Sequence, residues 1–182
     1  MMPDDNSIRG CTADYREVHS VFLLFILVFS FSGCGVYSFT GASIDPSVKT
    51  YTVHFITNQA PVIVPALSQT LTDALKNKFL TSTNLTLTQN GGDLEFSGAV
   101  TGYLVSPVAA QANETAALNR LTISVNIEYV NHKNEKQSFN TVFSRYADYT
   151  STSDLASVQD QLIKQINEQL VEDIFNKAVV NW

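Results

Sequence analysis

Between Leu121 and Tyr129 the chain alternates without a break. Leu121, Ile123, Val125, Ile127 and Tyr129 are apolar, and Thr122, Ser124, Asn126 and Glu128 between them are polar. A period of two is that of a strand with one buried face. The same period runs through Leu94, Phe96, Val100 and Leu104, with Glu95, Ser97, Thr101 and Tyr103 on the other side. Gly98 and Gly102 fall on the apolar side and mark either close helix packing or a bulge. Residues 50–57 place Tyr51, Val53 and Phe55 on one face. Leu85 and Leu87 mark a short strand, and Phe139 and Phe143 open a last one that ends near Tyr149. Asn90-Gly91-Gly92-Asp93 has the composition of a hairpin connection.

The period becomes helical in two places. Leu67, Leu71, Leu75 and Phe79 recur every four residues, with Ala74 beside them and Pro65 suited to the first helical position. Lys76 and Lys78 would close this helix and complement its dipole. Near the C-terminus, Leu155, Val158, Leu162, Ile166, Leu170 and Ile174 form a second stripe, widened by Ile163, Val171, Phe175 and Ala178. Ser153 or Asp154 supplies its N-cap. Asp160 with Lys164, and Asp173 with Lys177, stand in the favoured i,i+4 order. The order β-α-β-β-β-β-α predicts an α+β fold. It is a two-layer sandwich, with two helices packed on one face of a four- to five-stranded mixed, mostly antiparallel sheet.

An uninterrupted apolar run, residues 21–29, stands in front of Ser30-Phe31-Ser32-Gly33-Cys34. The run is shorter than the about 20 residues of a membrane span. A short apolar stretch ending in small residues is a secretory signal. A cysteine directly after it makes a lipoprotein leader, with residues 1–33 removed and Cys34 the site of lipid attachment. Phe31 stands where such boxes usually carry Leu. The segment before the run is unusually acidic, with Asp4, Asp5, Asp14 and Glu17 against Arg9 and Arg16, which suggests a translation start near Val18 or Val21. Residues 34–49 then read as a lipidated tether and residues 50–182 as one domain. Several acyl chains anchor stably where one does not. Gly35 after Cys34, without an acidic cluster, favours the outer membrane and its periplasmic side.

Charge narrows the partners. The chain has 11 Lys+Arg and 17 Asp+Glu. Without the leader the balance is 9 to 13, which argues against nucleic acid. Cys11 falls in the leader and Cys34 is consumed by acylation, so neither a disulfide nor a thiolate metal site is expected. No nucleophile elbow, phosphate loop or metalloprotease motif is present, and we expect no enzyme, cofactor or metal. His54 and His132 read as solvated. Glu172 and Asp173 are adjacent on a helix and diverge by about 100°. Arg120, which begins a strand, and Arg145, which interrupts the last one, are the candidates for contacting a phosphorylated glycolipid. The second sheet face is polar but nearly uncharged: Thr52, His54, Glu95, Ser97, Thr101, Tyr103, Thr122, Ser124, Asn126, Glu128, Asn140 and Ser144. Such a face bonds a partner without burying ions and suits the polar interior of a membrane β-barrel. Ser124 and Asn126 are its central candidates.

Cys34-Gly35-Val36-Tyr37-Ser38-Phe39 resembles the mature start of LptE, the outer-membrane lipopolysaccharide-assembly lipoprotein, in its Bacteroidetes branch. Pro65-Ala66-Leu67-Ser68-Gln69, Asp93-Leu94-Glu95-Phe96-Ser97-Gly98, Arg120-Leu121-Thr122-Ile123, and Glu172-Asp173-Ile174-Phe175-Asn176-Lys177 with Trp182 are similar too. The resemblance implies two helices on an antiparallel-rich sheet and a role as plug and assembly partner of the LptD barrel. It also implies contact with lipopolysaccharide through basic residues. A lipoprotein chaperone of another outer-membrane pore and a periplasmic lipid-binding lipoprotein are the alternatives.

The leader reading predicts that fatty-acid metabolic labelling marks the wild-type protein and not Cys34→Ala. Equal labelling of both would refute it.

Overall fold

Residues 44–108 and 117–179 are described in the computed structural model of the chain. The leader, Cys34, Trp182 and the middle of the loop expected at residues 106–119 fall outside them. The elements are β1 (Thr50–Val53), β2 (Thr57–Asn58), α1 (Pro65–Ser82), β3 (Thr86–Leu87), β4 (Leu94–Val108), β5 (Leu118–Asn131), β6 (Phe139–Thr150) and α2 (Leu155–Val179). The sheet runs β3-β1-β4-β5-β6, with β2 paired to β4. β1 is parallel to β3 and β4, and β2 is parallel to β4, whereas the long β4–β5 and β5–β6 ladders are antiparallel. Both helices cover one face, so the α+β sandwich is as expected.

The sheet has six strands rather than four or five because residues 50–57 are not one strand. Tyr51 and Val53 are buried, but Phe55 is exposed and Ile56 turns inward. The Ile56 N–H donates to Thr72 Oγ1 of α1 at 3.1 Å. That bond goes to the helix, not to the sheet, and the strand breaks there into β1 and β2.

Asn90-Gly91-Gly92-Asp93 is not a hairpin. β3 and β4 lie on opposite sides of β1, so residues 88–93 must cross over it. The crossing is held by side chains on the outer face of β1. Thr52 Oγ1 accepts from the Gly92 N–H, and Thr50 Oγ1 from the Asp93 N–H. Thr88 N–H bonds the Tyr51 carbonyl at 2.8 Å. A Cβ on Gly92 would stand 2.7 Å from the backbone of β1, so only glycine passes so close. Gly91 turns the chain with φ +68°.

The β4–β5 ladder slips by one residue between Val100 and Gly102. This bulge reverses which residues face the core. Before it, Leu94, Phe96 and Val100 are buried; after it, Tyr103 is buried and Leu104 is 62% exposed. The alternation through Leu104 expected from the sequence is therefore inverted at its end. Gly98 has a different reason: an added Cβ would meet the Asn126 carbonyl oxygen of β5 at 2.2 Å, so its close neighbour is a strand, not a helix.

Leu67, Leu71, Leu75 and Phe79 of α1 and Leu162, Ile166, Leu170 and Ile174 of α2 are buried against Phe96, Ile123, Val125 and Ile127. Asn167 crosses the helix seam to Thr70 Oγ1 at 3.0 Å. Of the segment read as a tether, Ile44 packs against the core and Val48 is buried in it. Lys78 lies inside α1, not at its end, and bonds Glu172 of α2 while standing over the Phe175 ring.

Ile123→Ala is expected to cost about 2–5 kcal/mol in a denaturant titration; wild-type stability would reject its place in the core.

Asp93 supplies a pH test. It accepts from the Lys49 and Thr50 N–H groups and the Thr50 hydroxyl, with Lys133 Nζ at 3.0 Å. These donors, the Lys49 N–H first, hold its carboxyl well below the usual carboxylate range. The folded pKa is depressed, so its stabilisation is present above the unfolded value of about 4 and is lost as pH falls toward the folded one. Asp93→Asn should therefore shrink the stability difference between about pH 6 and about pH 3. An unchanged difference would exclude this role.

Candidate partner-binding face

The sheet face away from the helices is built by cross-strand rows that the registers fix. Ser106, Arg120 and Asp148 form one row, and Leu104, Thr122 and Tyr146 the next. Gly102, Ser124 and Ser144 follow, then Ala99, Asn126 and Val142, then Ser97, Glu128 and Asn140. Ser124 Oγ and Ser144 Oγ bond at 3.0 Å, and the Thr101 hydroxyl donates to the Ser124 carbonyl at 3.4 Å. Ser124 and Asn126 thus lie two residues apart at the centre, both part-exposed.

Arg120 closes one end. Its Nε and one terminal nitrogen donate to the two Asp148 carboxylate oxygens at 2.7 and 2.8 Å. Its guanidinium also stacks over the Tyr146 ring at 3.6 Å. The hydrogen bond from Arg120 holds the Asp148 carboxyl below its ordinary value and in turn raises Arg120. A two-pronged, stacked arginine is a rigid group, not a free cation.

Arg145 is not part of this face. It stands opposite Ile123, on the helix side, and donates through two nitrogens to Asp173 of α2. The structure thus brings Arg120, Ser124 and Asn126 together on one face and leaves Arg145 on the other. The i,i+4 partner expected for Asp173 is elsewhere: Lys177 Nζ lies 5.1 Å from the Phe139 ring centroid.

Two more residues read as polar-face groups are covered. Tyr103 turns inward beyond the bulge, where burial raises its pKa and Gln159 donates to its hydroxyl at 3.0 Å. Thr52 is fully buried beneath residues 88–93. In their place the face gains apolar groups that the sequence reading missed. Leu104, Val142 and Tyr146 are all largely exposed. The signal for the last two was present in β6: Phe139, Phe143, Ala147 and Tyr149 share odd parity, which turns Val142 and Tyr146 outward.

At the far end, His54 and His132, distant in sequence, both approach Glu95, at 3.9 and 3.5 Å. The turn carrying His132 is tied to the start of β4 by the His132 N–H, which donates to the Asp93 carbonyl at 2.9 Å. Among the described residues no group of three such side chains is placed to hold a metal ion. The face has a centre of hydroxyls, amides and isolated apolar groups, with the Arg120–Asp148 pair at one end and Glu128 and Glu95 toward the other.

The lipopolysaccharide-assembly family LptE matches residues 48–178. The chain belongs to the LptE family. Its role is in lipopolysaccharide assembly at the outer membrane. No curated protein matches it in sequence. Among solved structures, a proposed neuraminyllactose-binding hemagglutinin homolog from Helicobacter pylori superposes with a TM-score of 0.50 at 12% identity, over 78% of this chain and 88% of that one. Rare lipoprotein B from Shewanella oneidensis gives 0.47 at 13% identity over 69% and 91%. A minor lipoprotein from Acinetobacter baumannii gives 0.45 at 14% over 72% and 92%. At 12% identity the likeness to the Helicobacter pylori protein is one of fold. Among the described residues no helix of this LptE-family chain is long and apolar enough to cross a membrane.

Proposed function

We propose that this LptE-family chain is a plug and assembly partner of an LptD-type outer-membrane β-barrel. In this reading Cys34 carries the lipid that anchors it on the periplasmic side. It supports transport and insertion of lipopolysaccharide into the outer leaflet and performs no catalysis itself.

The family match gives the process, and the sheet face supports the partner. The rows centred on Thr122, Ser124 and Asn126 carry no charged side chain. Desolvating an unpaired ion costs several kcal/mol, so a face meant for burial in a contact avoids one. The charged pair at its end, Arg120 with Asp148, is already neutralised. The lumen of a membrane barrel is polar, and hydroxyls and amides match it.

The same geometry limits how lipopolysaccharide is met. Arg120 and Arg145 lie on opposite faces and do not form one clamp. Each guanidinium gives two of its five donors to its carboxylate, so a lipid phosphate would meet Arg120 beside Asp148 and Arg145 beside Asp173, each against a like charge. Partner contact is therefore the better use of the face, and lipid phosphate is a competing anion at its rim.

Affinity capture from solubilised outer membranes is expected to bring down the barrel. Ser124→Lys or Asn126→Lys should abolish most of that capture while melting stays near wild type, since each brings an unpaired charge into the contact. Unchanged capture by both variants would mean that the face is only solvated. Capture of a different pore would favour the alternative chaperone role. Depletion should leave the outer leaflet short of lipopolysaccharide; normal barrel levels and normal surface lipopolysaccharide would overturn the reading.

A further inference from the structure

The sheet ends on two unlike edges. β3 is two residues long, whereas β6 runs for twelve, Phe139–Thr150, and pairs only with β5. The Ser151 N–H donates to the Ala117 carbonyl, which extends the β5–β6 register by one pair and fixes its phase. Odd residues of β6 therefore bond β5. Asn140, Val142, Ser144, Tyr146 and Asp148 direct their N–H and C=O groups away from the sheet. Among the described residues no strand pairs with them.

Natural edges of this length are guarded by lysine, proline, bulges or a covering element. β6 has no Lys, Pro or Gly, and its register with β5 has no bulge. Its two charges are already spent within the molecule, Arg145 on Asp173 and Asp148 on Arg120. The cleft between this edge and α2 is completed by Gln165 and Gln169, which are uncharged. Arg145 is the one inward-facing charge on this edge, and Asp173 neutralises it, so no unpaired charge of β6 repels an incoming strand.

The five outward residues read polar, apolar, Ser, apolar, polar, which is a palindrome about Ser144. We propose that β6 pairs antiparallel with β6 of a second copy across a two-fold axis at Ser144. Antiparallel pairing in this register sets Val142 against Tyr146 twice, Asn140 against Asp148 twice, and Ser144 against itself. An aromatic residue opposite a β-branched one is a favourable cross-strand pair, and an amide can donate to a carboxylate. On the helix side Phe143 meets Arg145. No like charges oppose each other, and ten outward backbone groups per copy lie within reach of the partner strand. A two-fold interface is self-complementary by necessity, and this pattern is what such symmetry requires.

The test uses the full-length protein, purified in detergent without any barrel, so it does not depend on the assignment above. Two differently tagged copies are co-expressed and one is captured. Wild type should capture wild type. Ser144→Lys places two like charges opposite each other on the axis and should weaken self-capture by about fivefold or more. Ser144→Glu should do the same. Co-expressing the Lys form with the Glu form should restore capture, because the axis then carries an ion pair. Melting temperatures near wild type for both variants show that the fold is kept. Absence of wild-type self-capture would overturn the proposal. So would self-capture that Ser144→Lys leaves unchanged, or a Lys–Glu mixture that fails to recover, since either places any dimer contact elsewhere. A photo-crosslinker at Ser144 that reaches only a different protein would assign the edge to that partner and likewise overturn it.

Discussion

The ring of Phe79 is the contact on which the two layers depend. It projects from α1 and meets Phe96 of β4 at 4.8 Å, Tyr51 of β1 at 5.3 Å and Phe175 of α2 at 5.0 Å between centroids. One side chain thus joins both helices to the sheet. The chain of rings continues from Phe96 to Tyr129 and from Tyr129 to Phe139, crossing the sheet from β4 to β6. Each such pair adds about 0.5–1.5 kcal/mol beyond its buried area. Burial pushes the Tyr129 hydroxyl up to about 12, so it stays neutral within the core at any physiological pH.

With α2 seated against Phe79, the divergence of its neighbouring carboxylates becomes useful. Adjacent helical residues point about 100° apart. Glu172 therefore reaches Lys78 on the adjoining helix, while Asp173 reaches Arg145 on the last strand. These exposed pairs contribute little energy individually. The buried stripe of Leu162, Ile166, Leu170 and Ile174 sets the rotation of α2 about its axis, and the two pairs fit that rotation. Arg145 lies on the helix side because its position in β6 sets it opposite Ile123, and Asp173 neutralises it there, while the opposite face is left to Ser144, Thr122, Ser124 and Asn126.

Much of this was legible in the sequence, and the gaps have physical causes. The unbroken alternation of residues 121–129 and the fourfold spacing of Leu67, Leu71, Leu75 and Phe79 are local signals, and both elements form as read. Ser124 and Asn126 came out as neighbours on one face because a period of two requires it. Gly102 marked the bulge as one of two readings, but the inversion of Tyr103 and Leu104 beyond it escaped, because a bulge is defined by a partner strand. The crossing of residues 88–93 over β1 escaped for a similar reason. Asn-Gly-Gly-Asp has the chemistry of a tight turn in either setting, and only the position of β1 between β3 and β4 decides between them. Arg145 stood as a candidate contact for a phosphorylated glycolipid because its acid lies 28 residues away on another element. The approach of His54 and His132 to Glu95 is equally non-local.

The crossing over β1 also has a mechanical meaning. β1 is the first strand of the domain, so a pull entering through the residues before Thr50 loads it directly. It lies inside the sheet, flanked by two parallel neighbours. A pull along its axis must shear those ladders together instead of unzipping them bond by bond. Residues 88–93 lie across it like a strap, buckled by Asp93 to Lys49 and Thr50. If the chain is anchored through Cys34 as proposed, a pull on that anchor would therefore load the domain where it is hardest to peel.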